Sequence, residues 1–186
     1  MAERPVRADA IQNQRRILET ATAVFAESGE ASLNEIARRA GVGPGTLYRH
    51  FPTREALILA VYRQEIQALA DLAPALLAEH PPVRALRLWL DQTARYGQLK
   101  YGAAAVIHAA TSAGLESEAY ALVTGAIAAL LGAGQEAGLL RPDIEPGDFL
   151  LLISFLWRIP PGPGAQAQAH RMIGLVLDGA LSRPRA

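Results

Sequence analysis

Apolar residues recur at spacings of three and four along almost the whole chain, a rhythm that buries one face only when the backbone coils into an α-helix. No segment reads as a strand, so an all-α fold is expected. Ile17, Leu18, Ala21, Val24 and Phe25 make a first stripe that closes at Gly29. Two short helices follow over 33–40 and 43–50. Thr53 then caps a long helix through Leu57, Ile58, Val61, Tyr62, Ile66, Leu69 and Leu72, and His80-Pro81-Pro82 interrupts the pattern. Beyond lie a helix over 83–99, a bend at Tyr101-Gly102 into an alanine-rich helix, and a helix carrying Leu122 to Leu131. An apolar helix from Phe149 to Trp157 and a last one from Ala169 to Leu181 complete the chain. The expectation is about nine helices, a compact head followed by a larger bundle. The 186 residues are 51% hydrophobic and only 19% charged, enough for a sizeable core, while the apolar runs are too short to span a bilayer.

Several chemistries drop out. With no cysteine there is no disulfide framework, thiolate metal site or cysteine nucleophile. His50, His80, His108 and His170 lack partners at i+3 or i+4, so no metal site is indicated. Ser112 and Ser154 sit in no nucleophile elbow. Gly41-Val42-Gly43-Pro44-Gly45 follows a helix rather than a strand and has no Walker lysine, so its glycines read as turn residues. No catalytic residue and no cofactor is expected. Met1 to Asn13 is polar with no apolar h-region, which places the protein in the cytoplasm without a membrane partner. The charge balance is neutral, 18 basic against 18 acidic residues. Residues 1–54 hold eight Arg against six acids, a faint tilt towards a polyanion.

The segment from Ser32 to Phe51 carries the most information. Ser32-Leu33-Asn34-Glu35 is a capping box, Gly41 stands where a helix ends in a left-handed turn, and Pro44 opens the next helix where its missing N–H does no harm. Two short helices joined by such a turn are a helix-turn-helix, whose second helix enters the major groove. Ile36, Val42 and Leu47 wedge the pair together, and the small Ala37 lets them cross closely. Thr46, Tyr48, Arg49 and His50 then point outward. The first two and His50 suit phosphate oxygens, and Arg49 suits either a guanine edge or a phosphate. Pro44 and Gly45 leave room for close approach to bases. Ser32 and Arg54 lie at the starts of flanking helices, where free amides favour anions. Shape alone does not separate this from a helical protein that never meets DNA.

The run from Leu33 to Leu57 resembles the signature of the TetR family of bacterial transcriptional repressors. The match includes Ile36, Ala37, Ala40 to Val42, Gly45 to Tyr48, His50, Phe51 and Arg54 to Leu57. With Arg16-Ile17-Leu18 and Ala23-Val24-Phe25 it covers roughly residues 10 to 65, about a third of the chain. The resemblance implies that Thr46, Tyr48, His50 and Arg54 hold phosphates, that Pro44, Gly45 and Arg49 lie at or near base edges, and that Ser32 and Asn34 add contacts. Gly43 stands where the family more often has serine, so a hydroxyl cap is missing. A DNA-binding domain over 1–54, with its motif at 32–51, and a ligand-binding and dimerisation domain over 55–186 are expected.

The resemblance also implies a homodimer on a near-palindromic double-stranded operator, released by a small-molecule effector. Its last two helices would form the dimer interface, here through Phe149, Ile153, Leu156, Met172, Ile173, Val176 and Leu177, since a monomer would leave one of those apolar faces wet. Trp89, Tyr96, Tyr101, His108 and Tyr120 are the candidate effector contacts in an otherwise Ala/Leu bundle, although core packing accounts for them nearly as well. Few acids lie near them in sequence, which favours a neutral or anionic effector. The alternative reading is a helical small-molecule binding or interaction protein without DNA function.

Overall fold

The structure, a computed structural model, describes residues 3–27, 31–110 and 116–182; for 3–8, 26–27, 98–110 and 116–117 it describes the backbone only. Gly29, the expected stop of the first helix, lies outside the described residues. Eight α-helices are present among those described: α1 (Glu3–Glu27), α2 (Leu33–Arg39), α3 (Pro44–His50), α4 (Arg54–Glu79), α5 (Pro82–Ala110), α6 (Glu116–Glu136), α7 (Pro146–Leu152) and α8 (Ala165–Ala180). A 3-10 segment, Ile153–Trp157, follows α7 directly.

The near-match to nine conceals two differences. The bend expected at Tyr101-Gly102 is absent, and α5 runs unbroken through it. A lone glycine costs a helix only about 1 kcal/mol relative to alanine, and packing along the helix outweighs it. Conversely, the apolar run 149–157 changes from α-helix to 3-10 at Ile153.

The long helix α4 joins head to bundle. It packs on α1 in the head and on α5 and α6 in the bundle. On its neighbour α5, Ala85, Leu86, Trp89 and Leu90 are fully buried. Trp89 Nε1 donates to the Leu69 carbonyl of α4 at 2.8 Å, so the indole is satisfied within the core. The end of α8 is tied to the segment after α6: Arg141 N donates to Ala180 O at 3.0 Å and Ser182 N to Leu139 O at 2.9 Å, around an antiparallel bridge between Leu140 and Leu181.

Gly97 shows why α5 carries a glycine in mid-helix. A Cβ there would stand 2.5 Å from the Leu156 carbonyl oxygen and 3.2 Å from Trp157 Cα, both backbone atoms of the 3-10 segment. Gly97→Ala would ordinarily gain about 1 kcal/mol of helix propensity. Here overpacking, about 1–3 kcal/mol, works against it. The expected net result is a loss of about 1 kcal/mol, seen in a thermal melt as a midpoint lower by roughly 2–4 °C; a raised midpoint would show that the two backbones are not in contact.

The residues expected at a dimer interface lie mostly inside the single chain. Phe149, Ile153, Leu156, Ile173, Val176 and Leu177 are all buried within a single chain, and Met172 is partly buried against the same core. They are the inward faces of α7, the 3-10 segment and α8. The outward apolar residues of these elements are Leu151, Leu152 and Leu175, with Leu151 and Leu175 72% and 73% exposed.

Candidate nucleic-acid interface

Local chemistry sets the ends of the two short helices and the start of α4. Ser32 Oγ accepts from Glu35 N at 3.2 Å and Thr53 Oγ1 from Ala56 N at 3.1 Å, each satisfying an amide that its helix leaves open. At the close of α2, Gly41 has φ +65°, Gly41 N donates to Arg38 O at 3.3 Å, and Val42 N to Ala37 O at 3.0 Å. This pair of bonds is a Schellman motif, which needs the left-handed residue that glycine supplies without a Cβ clash. Pro44 begins α3 after Gly43, whose lack of a side chain leaves no side-chain cap there.

Packing then fixes which face of α3 is outside. Ile36, Ala37, Ala40 and Leu47 are buried and Val42 is half-buried, locking α2 and α3 to α1. Phe51 is buried just past α3 and holds the His50 ring 6.2 Å from its own, tilted by 40°. Pro44, Gly45, Tyr48 and Arg49 are exposed, and Thr46 and His50 are half-exposed. Tyr48 is 45% exposed, a large amount for an aromatic ring without a functional partner. Arg49 folds along its own helix, with Nε donating to Gly45 O at 3.0 Å and Nη2 to Thr46 Oγ1 at 3.4 Å. Both bonds are local and exposed, so the guanidinium can swing to a phosphate or a base at little cost. Ser32 and Asn34 are exposed on α2.

Arg54 differs from the rest. Its guanidinium lies 5.5 Å over the Phe25 ring centroid and its Nε donates to Ala31 O at 3.4 Å. It braces the start of α4 against α1 and the α1–α2 connection. Arg38 is a surface residue that sequence reasoning passed over; it is exposed in the last turn of α2, beside the glycine turn. The Arg38-Arg39 doublet, lying off the apolar stripe, was the available signal.

The three expected effector contacts whose side chains are described, Trp89, Tyr96 and Tyr120, do not converge. Trp89 is core. Tyr120 is 53% exposed on α6, its hydroxyl near Gly147 at the start of α7. The side chains of Tyr101 and His108 lie outside the described residues. Among the described three, Tyr96 fits the expectation of a buried polar anchor: its hydroxyl is buried with no hydrogen-bond partner among the described residues. Its ring centroid is 6.2 Å from that of Tyr62 on α4. Burial above all, then the neighbouring Tyr62 and Glu65, push its ionisation far above the usual phenol range. Glu65 is the residue the sequence did not connect with Tyr96. Desolvation raises its pKa, partly opposed by a hydrogen bond from Thr22 Oγ1 of α1 at 3.4 Å. The expectation of a neutral or anionic effector rested on the few acids near these residues in sequence, and Glu65 adds one beside Tyr96 from another helix.

Comparison with known proteins agrees with this geometry. The family described as bacterial regulatory proteins, tetR family, matches residues 17–61, and the family described as transcriptional regulator SbtR-like, C-terminal domain, matches 81–181. The crystal structure of the TetR transcriptional regulator SCO0520 from Streptomyces coelicolor is 42% identical, with a TM-score of 0.80 over 92% of this chain and 99% of that one. A TetR regulatory protein from Mycobacterium vanbaalenii is 34% identical, with a TM-score of 0.74 over 95% and 99%. An HTH-type transcriptional regulator of Staphylococcus aureus, SAB2452, is 43% identical over 63 residues, 33% of this chain and 34% of that protein. The likeness to the curated relatives thus spans about a third of their length, whereas the solved structures align over nearly all of theirs.

Proposed function

This chain belongs to the TetR family of bacterial transcriptional regulators, and from that premise we propose that it is a homodimeric repressor of a near-palindromic operator, released when a small molecule binds its bundle. The family is one of DNA-binding regulators, not enzymes. The observation that carries the reading is the outer face of α3. Pro44, Gly45, Tyr48 and Arg49 stand exposed together on a helix whose opposite face is locked by Leu47 into a three-helix head. Phosphate contacts from Thr46, Tyr48 and His50 would set the register, and Arg49 would reach the base edges or the adjacent phosphate. Ser32 and Asn34 would add contacts from α2. Arg54 would serve mainly by holding the head rigid.

Dimerisation is supported by the leucines left over on α7 and α8. Leu152 and Leu175 line a groove with Ile144, Phe149 and Gly179, and Leu151 stands exposed on the same short helix. Burying large apolar side chains gains about 1.5–3 kcal/mol each, enough for a few of them to favour a second copy over water. A twofold dimer presents two α3 helices, which must lie one helical turn, about 34–36 Å, apart or a multiple of it. The long helix α4 starts in the head and runs between α5 and α6, so a ligand that shifts it would change that spacing. Such a ligand acts only through unequal affinity for the two arrangements. No helix among the described residues is long and apolar enough to cross a membrane; a cytoplasmic location is part of the same proposal, since the chromosomal DNA it would bind lies there.

The test is a titration of labelled duplex from the chain's own upstream region at a fixed, stated salt concentration. Two chains per duplex and an affinity well above that for scrambled sequence are expected. Equal affinity for both duplexes would favour the reading of a helical binding protein without DNA function.

A further inference from the structure

We propose that Tyr96, Tyr62 and Glu65 form the recognition end of the effector site, and that it takes the protonated amine of a small molecule with an apolar body. This rests on the regulator reading and adds the chemistry of the ligand. The Tyr96 hydroxyl is buried with no hydrogen-bond partner among the described residues, an arrangement that is unfavourable in the free protein and leaves the group ready to pair with an incoming one. Two tilted tyrosine rings 6.2 Å apart offer negative π-faces, and the half-buried Glu65 offers a carboxylate whose charge is poorly solvated. Rings and a carboxylate together attract an ammonium ion more than a neutral or anionic group.

Tyr62 also forms part of the wall of an adjoining groove between α4 and α6, about 270 Å³, with Ile66, Ala119 and Leu122 as apolar lining and Glu118 among its polar residues. That groove accommodates the apolar body beside Tyr62; Arg63 and Glu118 in its lining offset each other in charge, so the preference for a cation rests on Glu65 and the two rings.

The site has a direct line to the head. Thr22 of α1 donates to Glu65 at 3.4 Å, a long bond. An ammonium pairing with Glu65 draws the carboxylate away from Thr22 and loosens the contact between α1 and α4.

The probe is 2-phenylethylamine, titrated calorimetrically into the full-length protein without DNA, beside 2-phenylethanol and phenylacetate as neutral and anionic isosteres. The amine is expected to bind at least tenfold more tightly than either, and Glu65→Gln and Tyr96→Phe to weaken it at least tenfold. Thermal melts serve as the folding check; Tyr96→Phe, which removes a buried hydroxyl with no partner among the described residues, is expected to melt at or above the wild-type midpoint. No binding of the amine at millimolar concentration, equal binding of the alcohol, or unchanged binding by Glu65→Gln would each overturn the proposal. Because no duplex is present, failure here leaves the DNA-binding reading standing, and failure to bind DNA leaves these titrations unaffected.

Discussion

Tyr48→Ala combined with Arg49→Ala is expected to lower affinity for the operator duplex at least about 100-fold at fixed salt, since each direct contact is worth about 1–3 kcal/mol and a dimer makes it twice. The fold should be untouched. Tyr48 is exposed, and the recorded bonds of Arg49 run only to Gly45 and Thr46 on its own helix, so the melting midpoint should move little. A plot of log affinity against log salt distinguishes the role of Arg49. If it neutralises a phosphate in each head, Arg49→Ala alone flattens the slope by about two. If it reads a base, Arg49→Ala changes sequence preference and leaves the slope nearly intact. Unchanged affinity in the double variant would remove α3 from the interface.

Leu151→Glu with Leu175→Glu is expected to split the proposed dimer. Both side chains already face outward, so in one chain the substitutions place carboxylates in water and cost little. Across a twofold interface the same groups would be buried as like charges, which costs several kcal/mol. Sedimentation should give the mass of one chain, with the helical circular dichroism retained. Operator affinity should fall by at least about 100-fold, because each head then binds without the effective concentration supplied by its twin. An unchanged mass would show that a different face joins the copies. The corresponding change at Ile173 or Phe149 would be uninformative, since those residues are buried in the single chain and their loss would unfold it.

That contrast marks how far the sequence is legible. The ends of the short helices and the start of α4 could be read because capping is local: Ser32, Gly41, Pro44 and Thr53 act on amides and carbonyls within a few residues of themselves. The outward face of α3 could be read for the same reason, since Leu47 on one side leaves Tyr48 and Arg49 on the other. An apolar run such as 149–157 gives no such direction. Phe149 and Leu151 look equally suited to a core, and only the packing of α7 on α6 and of the 3-10 segment on α5 decides which one is buried.

Pairs brought together from distant helices were invisible for a related reason. Nothing in spacing links Tyr96 to Glu65, Arg54 to Phe25, or Gly97 to the Leu156 backbone. In each case a residue with a plausible local meaning takes its role from a neighbour on another element. Arg54 reads as a phosphate ligand and is found braced on an aromatic ring.

The most direct test of the central claim is a cleavage-protection footprint of the full-length protein on the duplex upstream of its own gene. The account predicts two protected patches centred about one helical turn, or a multiple of it, apart, over successive major grooves of an imperfect palindrome, both lost with Tyr48→Ala and Arg49→Ala. Even, sequence-independent protection, or protection that survives those two substitutions, would contradict it.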